Sequence, residues 1–223
     1  MLPLRDTVPS RSRPWINYLL LLANIGIFVW LIGQSATEQG RLVERYAVVP
    51  SRLLGHPGLP EWMTLITSMF LHGGWLHLGG NMLVLFIFGD NVEDRLGHLR
   101  YLGFYLVCGI IAGLTQVAVA ATSNVPGIGA SGAIAGVLAA YLLWYPGARV
   151  VTLVPIWILP WLVVLPAFVV IGLWFVLQAL EGVLALDQGL AGSGGVAWWA
   201  HIGGFIAGLV LGPMLALGRP RTY

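Results

Sequence analysis

The chain has 223 residues, of which 58% are hydrophobic and only 9% charged, with a mean hydropathy of +0.85. A water-soluble domain carries about 25% charged residues, so the composition excludes an ordinary soluble domain and requires lipid over much of the surface. The net charge of +2 asks for no nucleic-acid partner, all eleven basic residues are arginines, and the lone Cys108 excludes an intrachain disulfide.

In chain order, six apolar segments approach the roughly 20 residues that a helix needs to cross a bilayer. They are 15–33, 75–91, 99–122, 129–145, 166–185 and 196–217. The first follows Arg5, Arg11 and Arg13 as a secretory signal would. It exceeds the usual signal core of about 7–15 residues, so it is expected to be retained. The second segment is short, and the stretch 61–71 before it reads as a helix lying at the membrane interface. The run 151–165 is apolar but is interrupted by Pro155 and Pro160 and closed by Pro166. Proline removes a backbone donor and breaks helices, so this run is expected to dip into the membrane as a connector. A seventh span, which would put the chain ends on opposite sides, is the alternative.

Arginine placement sets the orientation. With six spans, Arg5, Arg11, Arg13, Arg95, Arg100, Arg149, Arg219 and Arg221 share one side, against Arg41, Arg45 and Arg52 in the first loop. The pattern predicts a cytoplasmic N-terminal segment over 1–14, a membrane domain over 15–217 and a cytoplasmic tail over 218–223. From the compact chain and the lack of a transit peptide, a prokaryotic plasma (inner) membrane is the expected location. The fold class expected is an all-α membrane protein, a six-transmembrane-helix bundle with an interfacial first loop.

Within this apolar chain, polar residues at membrane depth mark function. Gly129-Ala130-Ser131-Gly132 opens the fourth segment. A small residue such as Ser131 in a membrane helix is more often there for packing. Here Pro126, Gly127 and Gly129 start a helix near Gly129, so Ser131 falls in a first turn whose free N–H groups can stabilise an oxyanion. The sixth segment carries His201, which shares a face with Gly204 and Gly208. That face can press on the small-residue side of the fourth segment, where Gly132 and Gly136 lie, and so bring Ser131 and His201 together. At hydrogen-bond distance, His201 would take the serine proton and return it to the leaving amine. No acidic residue is well placed as a third member, and Asp187 is only a weak candidate. The expectation is a dyad whose imidazole is oriented by packing.

A third cluster runs from His72 through His77 to Asn81. Trp75 and the histidines suit interfacial anchoring, but His77 and Asn81 share one helical face at i, i+4, and both can donate to an oxyanion. His72, His77 and His201 offer three zinc ligands in principle, yet the helical His-Glu-x-x-His pattern is absent. Metal therefore ranks well below serine chemistry, and no cofactor is expected.

These residues closely resemble the rhomboid intramembrane serine proteases, with several separated motifs in the right order. His72-x4-His77-x3-Asn81, Gly89-x3-Glu93-x3-Gly97, Gly129-Ala130-Ser131-Gly132 and Ala200-His201-Ile202-Gly203-Gly204-Phe205 with Gly208 cover nearly the whole chain. The resemblance implies Ser131 as nucleophile, His201 as general base, and Asn81 and His77 with the Ser131 N–H at the oxyanion. It implies His72 as a nearby polar residue and Glu93 as a structural tie between helix ends. It also implies single-span transmembrane proteins as substrates, entering beside the second and fifth helices. Trp174, Phe175 and Gln178 lie on the fifth without an assigned role. The chain departs from the family twice. Met63-Thr64 stand before Thr67 where Trp-Arg is usual, and Ala135 stands where an aromatic residue stacks on the histidine. The second departure leaves His201 oriented by another group or held less firmly. Against the protease stands a catalytically silent rhomboid-like protein that binds transmembrane helices. A small transporter is a third reading, disfavoured because neither repeats nor a membrane-buried carboxylate are found.

Overall fold

The computed structural model describes residues 1–55, 57–156, 159–190, 192 and 195–218. The chain begins with strand β1 (Leu2–Asp6) and helix α1 (Trp15–Ile32). The first loop folds into α2 (Ala36–Tyr46), α3 (Pro50–Gly55), α4 (Leu59–Thr67) and a 3₁₀ turn at Ser68–Phe70. Helices α5 (Trp75–Leu96), α6 (His98–Val119) and α7 (Ser131–Trp144) follow, then strands β2 (Arg149–Ile156) and β3 (Leu159–Pro166). Helices α8 (Ala167–Asp187) and α9 (Trp198–Leu215) complete the described chain. Beyond Gly218, the tail expected over 218–223 lies outside the described residues.

Each predicted apolar segment is a helix, but they are not alike. Four of them, α1, α6, α8 and α9, are long and apolar enough to cross a membrane. Helix α5 qualifies only together with α4 and the 3₁₀ turn, from which it is bent by 81°. Helix α7 has 14 residues, about 21 Å at 1.5 Å per residue, which is shorter than a bilayer core of about 30 Å. It sits among the other helices, with residues 132–141 all buried. Large apolar side chains such as Leu19, Leu22, Trp30, Val176, Leu180, Val210 and Met214 cover the outer faces of α1, α8 and α9. An outward surface of that kind belongs in hydrocarbon, and the chain is an integral membrane protein.

The fold is mostly helical, as expected, with one small sheet that the expectation did not include. The run 151–165, expected as a dipping connector with a seventh span as the alternative, is at its described residues two antiparallel strands and no spanning helix: β2 pairs with β3, with Val150 opposite Leu165 and Val151 opposite Val164. Strand β1 adds on the other side of β2, giving the order β1-β2-β3. The prolines that exclude a helix are tolerated here. β1 reaches along β2 only from Val150 to Leu153, so Pro155 lies where no third strand needs its missing donor. The Tyr141 hydroxyl near the end of α7 donates to Asp6 of β1, so the sheet caps the end of the bundle opposite Ser131.

At that same end the Gly89-x3-Glu93-x3-Gly97 motif acquires a physical reason at each position. A Cβ at Gly89 would strike the Tyr101 hydroxyl at 2.7 Å and the Asn17 amide, a pair joined by a 2.9 Å hydrogen bond. The Glu93 carboxylate is fully buried and accepts from Ile16 N–H at 3.0 Å and Asn17 N–H at 2.7 Å. It thus satisfies orphan donors at the start of α1. His98 adds a 2.5 Å contact to the same carboxylate. Gly97, with φ of 78°, makes the turn from α5 into α6.

Glu93→Ala leaves two helix-terminal N–H groups buried without an acceptor, and is expected to cost on the order of 3 kcal/mol. Thermal unfolding in detergent checks this. The midpoint should fall clearly for Glu93→Ala and less for Glu93→Gln, which keeps an acceptor oxygen. An unchanged midpoint in the alanine variant would remove Glu93 from this role.

Candidate active site

Ser131 is the first residue of α7, preceded by Ala130 at the cap. The helix therefore starts two residues later than the sequence suggests, and the first-turn N–H groups at Ser131 and just after it have no partner within the helix. The loop leading to it is pinned from the first loop. Gly129 N–H donates to Ser68 O at 2.9 Å, and Gly127 exchanges backbone bonds with Val48 at 3.1 and 2.7 Å. The first loop is in turn seated on α6 by Leu65, which packs with Val48, Leu53 and Val117. Thr67 donates to Tyr46 O at 2.7 Å, so these contacts hold the loop where Met63-Thr64 replace the usual pair.

Helix α9 reaches Ser131 because glycines remove the side chains between them. A Cβ on Gly204 would run into the Gly132 carbonyl, and one on Gly208 into the Gly136 backbone. The predicted glycine faces therefore do meet. His201, one turn before Gly204, is buried at 8% exposure. Its Nε2 lies 2.8 Å from Ser131 Oγ, within hydrogen-bond distance.

The other ring nitrogen is not left to packing. His201 Nδ1 lies 2.5 Å from Gln178 Oε1 on α8. The Trp174 ring, one turn earlier on α8, sits 5.7 Å from the imidazole between centroids and tilted by 40°. Ala135 is fully buried in the core, so the aromatic neighbour of His201 comes from α8 instead of α7. Sequence reasoning missed Gln178 as a partner. A lone amide in an otherwise apolar span was the available signal.

His77 lies at the start of α5, exposed, with Gly73 N–H donating to its Nδ1 at 3.4 Å. In a neutral ring this bond puts the proton on Nε2. A Cβ at Gly129 would sit 2.7 Å from His77 Nε2 and 3.7 Å from Ser131 Oγ. The imidazole and the hydroxyl thus border one small gap, which exists because residue 129 is glycine with φ of 125°. Asn81 is one turn further along the same face of α5. Its Nδ2 is buried and makes no hydrogen bond among the described residues. His72 is buried in the turn before α5, its ring 5.0 Å from that of His77. The site can thus offer a hydroxyl, an acceptor nitrogen for its proton, and N–H donors about one gap.

Lipid-facing helices with a serine–histidine pair bonded in their midst define a class, that of polytopic membrane proteins with a hydrolase-like polar centre. Comparison with known proteins sharpens it. A family model for the rhomboid domain matches residues 59–218. Rhomboid-type serine protease 2 of Emericella nidulans is 33% identical over 161 residues, which cover 70% of this chain and 27% of that protein. RHOMBOID-like protein 5 of Arabidopsis thaliana is 32% identical over 162 residues, 72% of this chain and 46% of that protein. Rhomboid protease GluP of Bacillus subtilis is 31% identical over 133 residues, 60% of this chain and 25% of that protein. The chain belongs to the rhomboid family, and it spans less than half the length of each of these relatives.

Gly129→Ala would push a methyl into the gap and strain a left-handed backbone. The rate of covalent labelling of Ser131 by a fluorophosphonate is expected to drop about 10²-fold, as for other misplacements near 1 Å. Labelling as fast as in the unchanged protein would show that the gap is not used.

Proposed function

We propose that this chain is an intramembrane serine endopeptidase. It hydrolyses peptide bonds in or near the transmembrane segments of single-span membrane proteins. The observation that carries this reading is the 2.8 Å contact between Ser131 Oγ and His201 Nε2. The proteases among the relatives support it. Ser131 Oγ attacks the scissile carbonyl carbon while His201 Nε2 takes its proton. The negative oxygen is met by Asn81 Nδ2, His77 Nε2–H and the Ser131 backbone N–H. The C–N bond breaks as the imidazolium returns the proton to the leaving amine. Water then gives a proton to His201 and its hydroxide adds to the acyl carbon, and the proton passes to Ser131 Oγ as the ester opens. His72 is a neighbouring polar residue holding water. No cofactor takes part.

In this reading α1, α5, α6, α7, α8 and α9 are a six-span core, and the first loop lies at the interface on the side of Ser131. Both ends are cytoplasmic, which the arginine bias supports, and the membrane is a prokaryotic plasma membrane.

The test is cleavage of a tagged single-span substrate with a Gly/Ala-rich upper helix by purified protein in liposomes. Ser131→Ala and His201→Ala should each abolish cleavage. Asn81→Ala should lower turnover about 10²–10³-fold with little loss of folding. A fully active Asn81 variant would exclude the donor role. No cleavage and no labelling from folded protein would instead favour the silent relative that binds transmembrane helices. His201 must be unprotonated to accept, so activity should fall on acidification. A rate that falls at no acidic pH where the protein stays folded would exclude it as the base.

A further inference from the structure

Among the described residues, Gln178 is the one hydrogen-bond partner of the His201 ring that comes from outside the Ser131 motif. It lies on the face of α8 that docks on α9. Trp174, four residues earlier, borders the imidazole. Later on the same side, Glu181 accepts from Trp198 Nε1–H at 2.6 Å and Gly182 O accepts from Trp199 Nε1–H at 3.1 Å. These ties fix α8 against the first turn of α9, one turn from His201. They also occupy Glu181, the nearest carboxylate on α8, leaving the amide oxygen of Gln178 at 2.5 Å from His201 Nδ1. A neutral imidazole carries one N–H. With Nδ1–H donating to Gln178 Oε1, the lone pair is on Nε2, where the Ser131 proton must go.

We infer that Gln178 is a positioning residue, which holds His201 in the Nδ1–H tautomer and aims Nε2 at Ser131. The inference rests on the Ser131–His201 reading above for its effect on rate, but not for its effect on the ring. An amide oxygen accepts without taking the proton, so only Nε2 exchanges a proton during turnover. It also meets the charge of the imidazolium with a dipole, which is a weaker stabiliser than the carboxylate of a triad. The role that family members give to an aromatic residue at the position of Ala135 falls here to α8, through Gln178 and Trp174 together.

The experiment uses the full chain in detergent with Gln178→Leu, Gln178→Glu and Ser131→Ala. It has two readouts. One is kcat and KM on the tagged substrate across pH. The other is the tautomer of His201 from ¹⁵N spectra of histidine-labelled protein, the signal assigned by its loss in His201→Gln. Gln178→Leu should lower kcat by about 10–10²-fold with KM nearly unchanged. That is less than the roughly 10⁴-fold loss when a triad carboxylate is replaced by an amide and the wrong tautomer results. It should also turn the single Nδ1–H form into a mixture. Gln178→Glu should restore kcat and move the acid limb of the profile to higher pH, because a carboxylate favours the imidazolium. The other titratable groups about the ring, His77 on α5 and the Trp198-bound Glu181, are the same in every variant. An unchanged kcat together with an unchanged tautomer in Gln178→Leu overturns the inference while leaving the dyad intact. A tautomer that depends on Gln178 in a protein that never cleaves upholds the inference and overturns the protease reading.

Discussion

Two helices in ordinary contact keep their axes about 8–10 Å apart, and the side chains between them decide what can meet across the gap. In this protein α7 and α9 touch backbone to backbone, because Gly132 and Gly136 face Gly204 and Gly208. Helix α6 joins by the same device, with Cys108 filling the space beside Gly136 and Thr115 that beside Gly203. Lipid offers no hydrophobic drive to press helices together, so close packing through small residues supplies the association. The Ser131–His201 contact is a by-product of that approach. A single β-carbon on Gly204 would stand in a carbonyl oxygen, and the two side chains would part.

The bundle also has to settle the polar groups it carries into an apolar medium. At the sheet end Glu93 bonds to the start of α1 and to His98, and Asn17 to Tyr101 and to the Leu85 carbonyl at 3.1 Å. At the Ser131 end Asn81 Nδ2 is buried and unbonded among the described residues. Unmet donors are costly where water is scarce. The site about Ser131 thus keeps a buried donor in reserve.

Much of this was legible in the sequence, for identifiable reasons. Long apolar runs translate directly into helices because the backbone must satisfy itself in lipid. The glycine faces of α7 and α9 follow from a fixed 3.6-residue period. The hairpin at β2 and β3 was less accessible. Its prolines ruled out a helix, but strand pairing with β1 is a contact over more than a hundred residues that no local pattern announces. The start of α7 at Ser131 rather than Gly129 depends on the bond from Gly129 to Ser68, again set by a distant segment. Gln178 was visible as an amide on an apolar helix, yet its partner could be named only once α8 was docked on α9 through Trp198 and Trp199.

Helix α7 reaches an outer surface only in its last turn, where Leu143 is exposed. Ten consecutive positions, 132–141, are buried, so a full turn of the helix presents no side to lipid or water. The tolerance of most helices to replacement rises and falls every three or four residues as the exposed side comes round. Along 132–141 that rhythm is missing. Its glycines and alanines record a volume limit on every side, and an added methylene is felt wherever it is placed. Variation over 132–141 is therefore confined by volume at every position, at the large Ile134, Leu138 and Tyr141 as at the glycines and alanines.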